Sequence, residues 1–113
     1  MEHQNPNVIS VQPEDVKKAI DTHEQCVILD VRTPGEYSRG NIAGSINVPV
    51  DDLSRKITDV IPDTSARIYV YCLSGNRSSR AVAFMLGIGY TNVYNMQYGL
   101  LGWRAKYFPM TSS

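Results

Sequence analysis

Short apolar runs alternate with segments of helical periodicity along this chain, an alternation that points to α/β with a mainly parallel sheet. Val8 to Val11 reads as a first short strand. Pro13, followed by Glu14 and Asp15, suits a helix start, with Val16, Ala19 and Ile20 on one face and an end near His23. Cys26-Val27-Ile28-Leu29, closed by the polar Asp30 and Arg32, has the pattern of a strand buried on both faces and central in its sheet. Thr33-Pro34-Gly35-Glu36 offers an N-cap, a proline at the first helical position and an early acid, so a short helix runs through Tyr37 and Ser38 and stops at Gly40.

Gly44 to Pro49 predicts a brief strand, after which Leu53, Ile57, Val60 and Ile61 repeat at helical spacing until Pro62 and Asp63. Ile68-Tyr69-Val70-Tyr71 is a strong strand, followed at once by Cys72-Leu73-Ser74-Gly75-Asn76-Arg77 and a helix with Val82, Met85, Leu86 and Gly89 on one side. Val93-Tyr94-Asn95 supplies the last strand and Leu100 to Tyr107 a closing helix, with a frayed tail from Met110 to Ser113. At 113 residues the whole chain, 1–113, is expected to form one domain with its core at about 8–109.

Charge and cysteine usage narrow the function classes. Eleven basic residues balance eleven acidic ones, so the basic excess of a nucleic-acid or membrane-surface binder is missing. The longest apolar stretches, such as Ala81 to Leu86, are too short to span a bilayer, and the polar start Met1-Glu2-His3-Gln4-Asn5 lacks a signal-peptide apolar region. A cytoplasmic protein is expected. Two cysteines, Cys26 and Cys72, do not make a disulfide framework, and His3 and His23, both expected at the surface, are too isolated to complete a metal site with them. Neither metal nor cofactor is expected.

The candidate site is the loop after the fourth strand. In open α/β sheets the ligand crevice lies beyond the carboxyl ends of the strands, where Cys72 sits. A loop that opens directly into a helix turns backbone N–H groups inward and favours an anion, including a thiolate. A free thiol with a pKa of about 8.5 is lowered in such a field, and the nucleophile then needs no histidine base. Gly75 lets the backbone pass close to the sulfur with positive φ, Ser74, Asn76 and Ser78 supply small polar groups, and Arg77 adds a fixed positive charge. Those groups would be costly to bury around an inert structural thiol. Cys26 precedes its strand whereas Cys72 follows one, which sets them about 15 Å apart along the sheet, beyond the ~7 Å of a bridge; Cys26 is read as core.

Asp30-Val31-Arg32-Thr33-Pro34-Gly35-Glu36-Tyr37, continued by Gly40 through Pro49, resembles the first signature of rhodanese domains. Cys72 through Ser78 is similar to the active-site loop of that family, and Gly99 with Trp103 to its C-terminal signature. The resemblance implies a three-layer domain with a five-stranded sheet flanked by helices. It also implies a thiosulfate sulfurtransferase in which Cys72 takes a sulfane sulfur as a persulfide and passes it to cyanide, a thiol or a protein cysteine. On that basis Leu73, Ser74, Gly75, Asn76, Arg77 and Ser78 cradle the outer sulfur and the anionic donor, with Arg77 stabilising loop and anion. Asp30, Arg32 and Glu36 would support the site by ion pairing or capping, or contact substrate directly. Asn41 departs from the pattern where many relatives have histidine, as does Gln97-Tyr98-Gly99, where a glycine pair is frequent. Both bear on packing beside the loop or its entrance.

Two alternatives compete. A phosphatase or arsenate reductase on a related fold also uses a cysteine, a loop and an arginine at a helix start. Four residues separate Cys72 from Arg77, one fewer than in those phosphate binders, and no aspartic acid near the loop is an evident general acid. The other is a non-catalytic or sulfur-relay interaction module. Any of Tyr90, Tyr94, Tyr98 and Tyr107 that is exposed would help to dock such a partner, although packing accounts for most of them.

Overall fold

The computed structural model describes residues 7–112. Five strands, β1 (Ser10–Val11), β2 (Val27–Asp30), β3 (Ile46–Asn47), β4 (Ile68–Tyr71) and β5 (Val93–Met96), form one sheet in the order β1-β5-β4-β2-β3. Every pairing is parallel. Four helices connect them, α1 (Pro13–Asp21), α2 (Pro34–Arg39), α3 (Leu53–Val60, preceded by a 3-10 turn at Val50–Asp52) and α4 (Asn76–Gly87), and α5 (Gly99–Ala105) follows β5. The expected α/β architecture, with a five-stranded parallel sheet between helical layers, is the one observed.

Alternation along the inner strands divides the core in two. Leu29 and Val31 at β2 and Ile68, Val70 and Cys72 at β4 face α3 and α4, where Leu53, Ile57, Ala81, Val82 and Met85 cover them. Ile28, Tyr69 and Tyr71 face the other way, toward Val16 and Ala19 of α1 and Leu100 and Trp103 of α5. Burying each large aliphatic side chain contributes about 1.5–3 kcal/mol, so both layers hold the strand ends in place. β4 is the middle strand and β2 its neighbour, so the expected centrality of the Cys26 run is off by one position.

Local chemistry explains the helix boundaries. Thr33 is the expected N-cap of α2, accepting from the Glu36 amide, and the structure adds the reciprocal bond in which Glu36 accepts from the Thr33 amide. Tyr90 is one of the tyrosines that pack, and its hydroxyl lies between the carbonyls of Ile57 and Ile61 at the end of α3.

Other expectations require correction. β1 is two residues long rather than four, and β3 keeps only Ile46 and Asn47 of the run Gly44–Pro49. α1 stops at Asp21, because His23 turns into positive φ. Val60 and Gly89 are exposed and Gly89 lies beyond α4, while Tyr107 lies beyond α5, again at positive φ. Cys26 lies before β2 and is half-buried at the rim of a cavity of about 430 Å³, not in the core interior. The tail is tied down instead of frayed: Thr111 and Asn41 exchange backbone hydrogen bonds at 2.7 and 2.9 Å. His23 is exposed, and His3, the polar start and Ser113 lie outside the described residues. Among the described residues no helix is long and apolar enough to cross a membrane.

Candidate active site

Cys72 follows β4 directly, and its residue is 1 % exposed. The chain then turns through Gly75, whose φ of +111° is open to glycine and strained for other residues, and enters α4 at Asn76. That turn aims the amides of Gly75 and Ser78 at Sγ, which they reach at 3.2 and 3.3 Å. The start of α4 thus surrounds the sulfur with donors that favour negative charge.

Ser78 is fully buried and its hydroxyl lies 3.3 Å from Sγ. Behind it Asn95 Oδ1 accepts from Ser78 Oγ at 2.5 Å, and Asn95 Nδ2 donates to Ser10 Oγ at 3.3 Å. The sulfur therefore heads a polar chain that crosses from α4 to β5 and β1 inside an otherwise apolar layer. Burial pushes the Cys72 thiol up, but the Ser78 side chain and the amides of Ser78, Gly75 and Ser74 outweigh it and hold the group below its ordinary value. Asn95 was not singled out from the sequence. Its signal was a polar residue in alternation with Val93, on a strand face that had to be buried.

Arg77 does not present a free charge to the sulfur. Its guanidinium donates to both Glu36 oxygens, at 2.8 and 3.1 Å, and so joins the first turn of α4 to the first turn of α2. Ser74 and Asn76 are exposed, and Leu73 is half-buried. The other face of the loop is held by α5, where the amides of Leu100 and Leu101 donate to the carbonyls of Cys72 and Leu73 at 2.8 and 3.0 Å. Gly99 makes that approach possible, since a Cβ there would stand 2.5 Å from the Cys72 carbonyl oxygen.

Asp30 and Arg32 form a buried pair beside the loop. Arg32 donates from Nε to Asp30 at 3.0 Å, from Nη2 at 2.7 Å, and also from Nη2 to the Gly40 carbonyl at 2.6 Å. The pair fixes the segment after β2, and Asp30 lies inside the protein away from solvent. Tyr71 stacks near Arg32, and its hydroxyl accepts from the Ile42 amide at 3.0 Å, with burial and then Asp30 raising its pKa. Beside this pair opens a cleft of about 680 Å³, whose lining includes Arg32, Glu36, Arg39, Leu73 and Arg104. Asn41 is buried next to the lining residue Gly40, with Nδ2 donating to the Tyr37 carbonyl at 2.9 Å and its backbone bridged to Thr111. Gln97 and Tyr98 stand at the start of α5, where Gln97 accepts from Gln12 at 2.9 Å and Tyr98 adopts a φ of +65°.

A cysteine cradled by backbone amides thus stands at the end of the middle strand of a parallel α/β sheet. The family model described as Rhodanese-like domain matches residues 12–106, and the chain belongs to that family. It is similar to the thiosulfate sulfurtransferase GlpE of Pseudomonas aeruginosa, at 30 % identity over 91 % of this chain and 90 % of that protein. It is 36 % identical to the thiosulfate:glutathione sulfurtransferase of Saccharomyces cerevisiae, over 80 % of this chain and 76 % of the relative. Among solved structures, a rhodanese-related protein from Thermoplasma volcanium superimposes with a TM-score of 0.82 at 31 % identity, covering 93 % of this chain and 99 % of the other.

Proposed function

We propose that the protein is a sulfurtransferase that carries a sulfane sulfur on Cys72 as a persulfide, with thiosulfate or another persulfide as donor and cyanide, a small thiol or a protein cysteine as acceptor. The observation that carries this is the surroundings of Sγ: the amides of Gly75 and Ser78 donate to it and the Ser78 hydroxyl lies 3.3 Å away, a setting that favours a thiolate without a base. Sulfurtransferase relatives on the same fold support it.

In the first half-reaction the Cys72 thiolate attacks the outer sulfur of thiosulfate. A bond from Sγ to that sulfur forms, the original sulfur–sulfur bond breaks, and its electron pair leaves with sulfite. The outer sulfur of the persulfide then carries the charge, and the loop amides are the groups placed to hold it. In the second half-reaction the acceptor bonds to the outer sulfur and the pair from the broken bond returns to Sγ. With cyanide the product is thiocyanate, and the enzyme is regenerated with no net redox change.

A phosphatase has less support. The loop is short and its arginine is already paired with Glu36 rather than free for a tetrahedral oxyanion. The test is incubation with thiosulfate and cyanide, with Cys72→Ser and para-nitrophenyl phosphate run in parallel. Thiocyanate that depends on Cys72, without phosphate release, is the expected result; phosphate release without thiocyanate would replace this function with the phosphatase one.

A further inference from the structure

We propose that Asn95 is a positioning residue for the Cys72 nucleophile, and that its side-chain amide turns over when the sulfur ionises, so that Ser78 changes from acceptor to donor. This rests on the reading of Cys72 as the nucleophile and goes beyond it by assigning the group that steers its hydroxyl neighbour.

The polar chain from Cys72 through Ser78 and Asn95 to Ser10 has too few protons to suit both states of the sulfur in one orientation. Ser78 is fully buried and Asn95 is 5 % exposed, so both depend on each other for partners. A serine hydroxyl holds one proton and two lone pairs, and a thiolate holds no proton. The one Ser78 proton goes to Asn95 Oδ1 at 2.5 Å, which leaves the Ser78 oxygen to accept from the Cys72 thiol at 3.3 Å. At the far end Asn95 Nδ2 donates to Ser10 Oγ at 3.3 Å. Every bond runs in one direction, from the sulfur toward β1, and that direction suits the protonated thiol only.

Ionisation breaks the pattern at its head. Once the thiol proton has gone to solvent, Sγ and the Ser78 oxygen face each other as two acceptors unless the hydroxyl swings its proton to the sulfur. Ser78 Oγ and Asn95 Oδ1 are then the facing acceptors, a costly arrangement for buried polar atoms in an apolar layer. Turning the amide over removes the conflict, because one of its two ends accepts and the other donates. Nδ2 then donates to Ser78, Ser78 donates to Sγ, and Oδ1 accepts from Ser10, which is exposed and has a hydroxyl free to rotate. The Asn95 backbone stays in place throughout, paired with Val70 of β4 and donating to the Ile9 carbonyl at 2.9 Å. Of the charged groups around the sulfur, Arg77 of α4 acts on it through space and is paired with Glu36 of α2, whose carboxyl is lowered to about 2, so that pair keeps its charges where a thiol titrates. Asp30 at the end of β2 is closed on Arg32, β1 brings no titratable residue, and Tyr71 of β4 and Tyr94 of β5 face the opposite layer.

The experiment is NMR of the isotope-labelled full chain, following the Asn95 side-chain amide through the Cys72 titration, whose midpoint is read from iodoacetamide alkylation. The expected result is cross-relaxation from the amide protons to the Ser10 side chain below the midpoint and to the Ser78 side chain above it. In Cys72→Ser the amide should stay with Ser10 at every pH. An amide that keeps to Ser10 across the midpoint, or that turns over equally in Cys72→Ser, overturns the proposal. The functional counterpart is Asn95→Asp, whose carboxylate only accepts and so keeps the Ser78 proton from the sulfur. Its alkylation midpoint should rise by about one pH unit, a tenfold loss of thiolate at a fixed pH below the midpoint, and by less in the Ser78→Ala background, where there is no hydroxyl to withhold. Equal shifts in both backgrounds would mean that the new charge acts on the sulfur directly, and they overturn the role through Ser78. Neither measurement uses a sulfur donor, so failure to load sulfur from thiosulfate counts against the proposed function alone.

Discussion

Arg77 and Glu36 share two hydrogen bonds, at 2.8 and 3.1 Å, across 41 residues of sequence. The Arg77 guanidinium is the main reason that the Glu36 carboxyl is lowered to about 2, with burial opposing it and the Thr33 amide adding to it. A carboxylate whose pKa is depressed on folding stabilises the protein fully above its unfolded value of about 4.3, and that contribution is lost as pH falls through the folded value. Glu36→Gln should therefore cost about 1 kcal/mol near neutral pH, a discounted figure for a partly exposed pair. Urea denaturation at several pH values should show the gap from wild type narrowing below pH ~4 and closing near the folded value; a gap that does not vary with pH would refute the linkage.

Ser78 stands between Cys72 and Asn95, and its side chain is the strongest of the groups that lower the Cys72 thiol. Ser78→Ala leaves the amides of Gly75 and Ser78 in place but removes the hydroxyl beside Sγ and strands the Asn95 oxygen. The acidic limb of the pH–rate profile for iodoacetamide alkylation of Cys72 should move toward alkaline pH. A profile that overlays the wild type would mean that the amides alone set the thiolate.

Gly99 has a φ of +54°, and an added Cβ would meet the Cys72 and Leu73 carbonyl groups at 2.5 to 2.6 Å, backbone atoms that cannot rotate away. Gly99→Ala is expected to lose about 1–3 kcal/mol of stability. It should also lower sulfur transfer further than the stability loss explains, because the strain falls on the loop. Retention of full activity at a temperature where the variant is folded would show that the loop adjusts freely.

Tyr98 occupies left-handed backbone, φ +65°, where the family pattern often has glycine. Its ring is exposed, so little packing offsets the strain. Tyr98→Gly is expected to raise stability by about 0.5–1 kcal/mol, net of the extra chain entropy of glycine. Thermal denaturation measures this, and a lower Tm would show that the tyrosine contributes contacts exceeding its strain.

The elements that signal themselves locally were legible in the sequence. Ile68–Tyr71 and the Thr33-Pro34-Gly35-Glu36 start of α2 stand where periodicity and capping place them. The contacts that complete the loop were not, because each joins residues distant in the chain. Arg77 looked like a free cation until α2 came beside it, and Asn95 became a partner of Ser78 only through the parallel register of β4 and β5. The tail from Met110 looked frayed for the same reason, since its partner Asn41 lies far upstream and only the fold brings the two backbones together. Which of the four tyrosines would pack was not legible either, and Tyr90 is buried against α3 by contacts made 29 and 33 residues away.

The central claim is that Cys72, and not Cys26, carries the sulfur. The two thiols lie at opposite ends of the strands, since Val27 pairs with Ile68 where β2 and β4 begin and Asp30 with Tyr71 where they end. Burial, followed by the nearby Glu24 carboxylate, pushes Cys26 up and away from thiolate. The most direct measurement is mass spectrometry of the two cysteine peptides after incubation with thiosulfate and gel filtration. One additional sulfur atom on the Cys72 peptide, removed by cyanide, kept in Cys26→Ser and lost in Cys72→Ser, is the predicted result. No added sulfur on Cys72 with any sulfane donor, or added sulfur on Cys26 instead, would contradict it.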